Sequence, residues 1–217
     1  MRIVSAVLAA LVAAAGYYIA IPVMDRKYQM GLNCKGWRIS SLGVLAVGGI
    51  TVLAAGGIGY LNLQGDSPAL RILAMLLIWA MSVLAVLDYK KQIVPNRFLL
   101  LMLLLWTAVT GSYIIVDTGG GLVLFFRALA GAVTGGLVFL LCYLLSGRKI
   151  GAGDVKLVFV MGLYLTGQRI IGAIFYGALL CCVYSLIQMG RKKLGLKDGV
   201  PIVPFLYLGT LITLLIF

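Results

Sequence analysis

Long apolar runs, separated by short polar segments, repeat along the whole 217-residue chain. A helix needs about 20 mainly apolar residues to cross the hydrocarbon layer of a bilayer. The pattern predicts eight helices, at residues 3–23, 42–61, 69–87, 98–116, 122–145, 154–166, 170–189 and 200–217. We therefore expect an all-α fold, a polytopic membrane helix bundle with about eight transmembrane helices.

The charged residues lie mainly in alternate loops of this predicted bundle. Fourteen of the eighteen Lys and Arg residues fall in the loops that follow the first, third, fifth and seventh helices. The positive-inside rule makes this face cytoplasmic and leaves both termini outside. The same charge favours contact with anionic lipid. No nucleic-acid partner is expected, because no aromatic-interleaved basic module accompanies the charge.

Composition leaves little room for a separate soluble domain, since 63% of the residues are hydrophobic and 11% are charged. We predict two units, an N-terminal two-helix membrane segment with a short cytoplasmic loop at residues 1–67 and a six-helix core at residues 68–217. The first twenty residues could instead form a cleaved signal peptide. The apolar run continues to Met24 without a polar cleavage region, which favours a retained helix.

The acid-base chemistry open to the chain is narrow. All six acids are Asp, and neither Glu nor His occurs. A Ser-His triad, a zinc-protease helix and a facial iron triad are thereby excluded. No pair of cysteines has CxxC spacing, and three of the four lie in apolar runs. We expect no metal, no cofactor and no structural disulfide; the cysteines are Cys34, Cys142, Cys181 and Cys182.

Asp154 begins the shortest predicted helix, within "KIGAGDVKLV" at residues 149–158. Residues 154–166 would extend only about 20 Å, against about 30 Å of hydrocarbon, so Asp154 is expected below the cytoplasmic surface. An acid at that depth indicates a functional site. Gly151 and Gly153 permit backbone angles and close approaches that other residues resist. An N-cap for the helix is the alternative role for Asp154.

Asp88 ends the third predicted helix, where the helix dipole disfavours an anion. Lys90 and Lys91 follow it, so a simple interfacial salt bridge is one interpretation. Asp88 and Asp154 are nevertheless expected at similar depth on the same side. Two neighbouring carboxyl groups do not both ionise easily, so one can activate water while the other donates a proton to a carbonyl oxygen. This is aspartic-protease chemistry.

Two motifs resemble those of a known family. "LDYKKQIVPN", with Asp88, Pro95 and Asn96, resembles the first-aspartate motif of the type IV prepilin peptidases. "GAGDVKL", at residues 151–157, is similar to their second motif, in which Gly-x-Gly-Asp precedes a nearby Lys. "VPIVPFLYLG", at residues 200–209, resembles the Pro-Phe stretch that opens their last helix. The resemblance covers residues 69–217.

The resemblance implies an intramembrane aspartic endopeptidase of the bacterial cytoplasmic membrane. It would remove the short basic leader of prepilin-like proteins at the cytoplasmic face. Asp88 and Asp154 would form the catalytic pair, and residues 68–217 the catalytic core. Gly151 and Gly153 would shape the second motif. The other matching residues, to which no step is assigned, are Pro95, Asn96 and Lys156.

Larger, bifunctional members of that family also methylate the new N-terminus and carry paired CxxC motifs in the loop after the first helix. Here residues 24–41 contain only Cys34, and no motif for S-adenosylmethionine is present, so we expect a peptidase without methyltransferase activity. Presenilin-like proteases share Gly-x-Gly-Asp, but in them a Pro-Ala-Leu motif follows the aspartates, and no Pro-Ala-Leu follows Asp154 here. An ion-coupled transporter with paired membrane acids is the alternative, although such sites favour the bilayer midplane. A purely structural membrane scaffold is a third possibility.

Overall fold

The computed structural model describes residues 14, 17–24, 26–28, 48–51, 57, 67–146, 151–191 and 200–216. These residues contain six complete helices and no strand. The helices agree in order and approximate position with the third to eighth predicted spans, which confirms the all-α prediction. Their bounds are α1 Pro68–Lys91, α2 Asn96–Val116, α3 Thr118–Leu145, α4 Ala152–Leu165, α5 Gly167–Gly190 and α6 Val203–Ile216.

The first two predicted helices lie largely outside the described residues. Within them, residues 17–24 and 48–51 are helical. Tyr17 and Ile21 are fully buried and belong to the same hydrophobic core as α1. The chain before residue 14, on which the choice between a retained helix and a cleaved signal peptide depends, is not described.

Helix α1 has a defined start and a defined end. Its N-cap is Ser67, whose Oγ accepts a hydrogen bond from the amide of Leu70 at 3.4 Å, and Pro68 fills the first position. It ends at Gln92, which adopts a left-handed conformation with φ 52° and donates its amide to the carbonyl of Asp88 at 2.8 Å. The last turn of α1 therefore runs from Asp88 to the start of a short connection.

Consecutive helices run in opposite directions. Gly135 of α3 faces Val158 of α4, while Gly131, earlier in α3, faces Gly162, later in α4. This register makes α3 and α4 antiparallel, and α4 covers only the C-terminal half of α3. The connections α1–α2, α3–α4 and α5–α6 consequently share one end of the bundle, which we call the basic end because it adjoins the most basic loops of the sequence.

The outer faces of the bundle are apolar. Leucine, isoleucine and phenylalanine side chains project outward from α2, α3 and α5, whereas α1 is the most buried helix. Helices α1, α2, α3 and α5 are long and apolar enough to cross a membrane, and α4 and α6 are shorter, with 14 residues each. An apolar exterior around an apolar core is typical of a polytopic membrane helix bundle, as predicted.

Candidate active site

Two carboxyl groups meet at the basic end of the bundle. Asp88, in the last turn of α1, is 5% exposed, and Asp154 is half-buried in the first turn of α4. Gly153, next to Asp154, packs against Val94 in the connection that follows Asp88, so both acids lie at the same junction. Asp117, the third described acid, lies at the opposite end, where it caps α3 by accepting the amide of Gly120 at 3.0 Å. Among the described acids, only Asp88 and Asp154 come together.

The partner of Asp88 is a backbone amide. Val203, the first residue of α6, donates its N–H to Oδ2 of Asp88 at 3.0 Å, and the amide of Ile202 contributes a second interaction. Within the described part of the chain, no Lys or Arg forms an ion pair with Asp88, and Lys90 and Lys91 are exposed. The interpretation of Asp88 as the salt-bridge partner of Lys90 or Lys91 is therefore wrong. The N-terminus of α6 faces the acid instead. The dipole of α6 favours an anion at this point and so offsets the dipole of α1, which disfavours one.

Asp154 is the third residue of α4, and the N-cap is Gly151. The N-cap interpretation of Asp154 is therefore wrong in position. Its carboxylate turns back to the amide of Gly151, as the third residue of a capping box does. A β-carbon on Gly151 would lie only 3.1 Å from Oδ2 of Asp154. The first glycine of the motif thus leaves room for the carboxylate beside its own backbone.

Gly153 has a different neighbour. A β-carbon there would lie 3.1 Å from Cβ of Val94, in the connection between α1 and α2. The next residue of that connection, Pro95, is buried and forms the N-cap position of α2. The second glycine of the motif therefore lets the start of α4 approach the segment that follows Asp88.

Lys156 and Asn96 are joined to each other rather than to the acids. Lys156 Nζ donates to Oδ1 of Asn96 at 3.3 Å, which links α4 to α2 on an exposed surface. At 3.6 residues per turn, Lys156 lies about 200° around α4 from Asp154. A cavity of about 620 Å³ opens beside it, with largely apolar walls that include Leu99, Leu137 and Phe159. This cavity lies on the side of α4 that faces away from Asp154.

The sequence motifs of the site fall within a recognised family. A sequence model described as the type IV leader peptidase family matches residues 75–186, just over half of the chain, and this range includes Asp88 and Asp154. The chain belongs to the type IV leader peptidase family. As a member with several membrane-length apolar helices, it is a multi-pass membrane protein.

One relative aligns over most of the chain. The "Prepilin leader peptidase/N-methyltransferase" of Bacillus subtilis (strain 168) is 26% identical over 198 residues, covering 90% of this chain and 75% of the relative. No solved structure matches. The alignment therefore extends beyond the six described helices into the N-terminal segment.

The described side chains that give the site its chemistry are carboxyl groups. The described residues contain no group of three or more His, Cys, Asp or Glu side chains that could hold a metal ion. Sequence reasoning missed one member of the site, Val203, because its contribution is a backbone N–H. The available sign was the pair Pro201 and Pro204 around the start of α6, since prolines are common where a helix begins.

Proposed function

We propose that this chain is an intramembrane aspartic endopeptidase that removes the short basic leader from type IV prepilin-like proteins. The observation that carries the proposal is the convergence of Asp88 and Asp154 at one end of a membrane bundle. Membership of the type IV leader peptidase family and the similarity to a prepilin leader peptidase support the same activity.

The catalytic step uses the two carboxyl groups as a unit. The ionised member accepts a proton from a water molecule, whose oxygen attacks the scissile carbonyl carbon. The protonated member donates to the carbonyl oxygen, which yields a neutral tetrahedral intermediate. The carboxyl group that took the proton from water passes it to the leaving amine, while the other carboxylate takes a hydroxyl proton from the collapsing intermediate, so the pair again holds one proton. Because water is the only co-reactant, this hydrolysis needs no cofactor.

The position of the pair suits a substrate that is cut beside an apolar helix. Asp154 lies in the first turn of α4, and its neighbours further along α4 are buried apolar side chains. The scissile bond of a leader peptide would therefore reach the carboxyl groups while the following helix stays in lipid. We place the basic end at the cytoplasmic face of the bacterial inner membrane on the strength of the positive-inside rule.

The activity is proposed for hydrolysis alone. The name of the Bacillus subtilis relative includes an N-methyltransferase, but residues 24–41 of this chain contain a single cysteine, Cys34. Paired CxxC motifs, which bifunctional members of the resembled family carry in the loop after the first helix, are absent from that loop.

The test is leader removal by purified protein in proteoliposomes that contain a prepilin-like substrate. Asp88→Asn and Asp154→Asn should each lower kcat by at least about 1,000-fold, because a pair that acts as a unit fails when either member is lost. Asp117→Asn is the matched control, since Asn also caps helices well and the residue lies at the opposite end. Folded Asn variants that still cleave would end the proposal.

The same vesicles distinguish the peptidase from the alternative function, an ion-coupled transporter. A transporter that uses the two acids would carry ions across sealed vesicles and release no peptide product, and Asp88→Asn would abolish that flux. Both acids lie at one end of the bundle, which supports a protease over a carrier with a central binding site.

A further inference from the structure

The first turn of α6 reaches the carboxyl group of Asp88 from a distant part of the chain. The N–H of Val203 donates to Oδ2 of Asp88 at 3.0 Å, in a buried contact between residues 115 positions apart. Asp88 is 5% exposed and Val203 is fully buried, so water does not compete readily for this bond. A hydrogen bond in such buried surroundings is electrostatically stronger than the same bond in water.

We propose that the backbone amide of Val203 is the positioning group that holds Asp88 in its working orientation. This inference rests on the proposed peptidase function. Val203 acts through Asp88, whose carboxyl group it holds, so it is a positioning residue. Its side chain has no part in the role, because the donor is the main-chain N–H.

The amide is free to act because of its place in the helix. The first N–H groups of a helix have no partner within it. The preceding residue, Ile202, is the N-cap, since its carbonyl accepts the amides of Phe205 and Leu206, both at 3.1 Å. The N–H of Val203, one residue later, points out of the helix end toward Asp88. The geometry of α6 thus sets the direction of the donor.

The donor is also fixed in place. Helix α6 packs directly against the backbone of α5, where Gly209 faces Ala173 and Gly177. No room for a side chain remains at Gly209, so α6 cannot slide along α5 without a clash. A donor on a rigid helix holds the acid to a narrower range of positions than a long side chain would.

No described side chain offers an equivalent contact. Neither Lys90 nor Lys91 forms an ion pair with Asp88, and Asp154 is itself an acid. A lysine at this point would also stabilise both carboxyl groups as anions, which would remove the shared proton that the reaction needs. The amide of Val203, with that of Ile202 beside it, orients one acid without adding a full charge.

The kinetic test removes the N–H by Val203→Pro. Proline is well tolerated at the first position of a helix, and an N-cap residue typically has the extended conformation that a following proline favours. We expect kcat for leader removal to fall about 10- to 100-fold, with KM changed less than about threefold, because the acid is misplaced while binding is kept. Val203→Ala keeps the N–H and should retain at least about a third of wild-type kcat. Equal activity of the two variants would overturn the inference.

A stability test examines the contact without using catalysis. In the wild-type background, Val203→Pro should melt at a lower temperature than Val203→Ala. In the Asp88→Ala background the two should melt together, because the acceptor is gone. The same difference in both backgrounds would show that proline harms the fold by another route and would overturn the contact.

The two tests show separately whether the positioning role of Val203 and the proposed peptidase activity are correct. If Asp88→Asn retains cleavage, the peptidase proposal fails, whatever the melting temperatures show. If Asp88→Asn is inactive but Val203→Pro cleaves as well as Val203→Ala, the proposed function stands and the positioning role fails.

Discussion

At the scale of single residues, the two glycines of the Gly-x-Gly-Asp motif have different neighbours. The α-carbon of Gly151 leaves room for the carboxylate of Asp154, whereas that of Gly153 approaches Val94 in the connection between α1 and α2. The first glycine therefore sets the orientation of the acid, and the second sets the distance between the start of α4 and the segment after Asp88.

We predict that Gly153→Ala lowers kcat for leader removal roughly 10- to 100-fold. The new β-carbon would lie 3.1 Å from Cβ of Val94, so the start of α4 must move outward and carry Asp154 with it. A displacement of this kind can cost about 100-fold even when the chemistry is intact. The measurement is single-turnover cleavage in proteoliposomes, where binding and chemistry are separated.

Gly111→Ala is the control for that change. Gly111 lies inside α2 with open space where a β-carbon would go, so alanine should keep wild-type activity and stabilise the helix by about 0.5–1 kcal/mol. If Gly153→Ala and Gly111→Ala cleave equally fast, the contact with Val94 does not position the pair.

Much of the site could be predicted from single residues, and the part that could not be predicted has a physical explanation. Asp88 and Asp154 stand out because an acid in an apolar chain needs a reason to be there. Their immediate roles were harder to predict. Lys90 and Lys91 are adjacent in sequence and suggested a salt bridge, yet the partner is the amide of Val203. A backbone donor has no residue-type signature, so sequence alone cannot identify it.

At the scale of helices, α4 is held along its whole length against α2 and α3. Its C-terminal end is fixed to α2 by two buried hydrogen bonds, from Trp106 Nε1 to the carbonyl of Leu163 at 2.9 Å and from the hydroxyl of Tyr164 to the carbonyl of Met102. Beside these bonds α4 lies directly against α3, where Gly162 and Gly131 meet backbone to backbone. The position of Asp154 therefore follows from the packing of the entire helix.

We predict that Gly162→Ala destabilises the fold by about 1–3 kcal/mol or more. A β-carbon at Gly162 would overlap the backbone of Gly131 and Ala132, and backbone cannot turn aside as a side chain can. Gly136→Ala is the matched control, because its new β-carbon would meet the ring of Phe159 at 3.0 Å and the ring can rotate. Thermal unfolding in detergent would compare them, and equal melting temperatures would contradict the prediction.

The positions of the helices were largely predictable, because a run of about 20 apolar residues usually forms a transmembrane helix. The predicted span at 154–166 and the observed α4, Ala152–Leu165, differ by two residues at the start. That difference changes the role of Asp154 from N-cap to third residue. Helix ends depend on single backbone contacts, so hydropathy does not determine them. The last predicted span began at residue 200, whereas α6 begins at Val203, after Pro201.

At the scale of the whole molecule, the described acids and basic segments divide between two ends. Asp88, Asp154 and the start of α6 share the basic end, while Asp117 and the α2–α3 connection lie at the other. The outward faces between the two ends are apolar. This division makes the orientation in the membrane directly measurable.

We predict that the basic end faces the cytoplasm. In a cysteine-free background, Lys91→Cys should react with a membrane-impermeant maleimide in inside-out vesicles and stay unlabelled in intact spheroplasts, because the loops at that end carry most of the positive charge. Thr118→Cys, exposed at the opposite end, should show the reverse pattern. Labelling of Lys91→Cys in intact spheroplasts would contradict this orientation.

The N-terminal segment is joined to the six-helix core through α6. The hydroxyls of Thr51 and Tyr207 are 2.9 Å apart in a buried hydrogen bond, and Tyr207 lies one turn after Val203. Tyr17, fully buried, belongs to the same core. We infer that Thr51 braces α6, and with it the amide that faces Asp88.

We predict that Tyr207→Phe and Thr51→Val each lower the free energy of unfolding by about 1 kcal/mol, because each removes the same buried hydrogen bond. The double variant should lose clearly less than the sum of the two, since a bond can be lost only once. The measurement is denaturant unfolding in detergent. Purely additive losses would show that this bond does not couple the N-terminal segment to α6. A measurable coupling would instead extend the support of Asp88 from the first turn of α6 to the N-terminal helices.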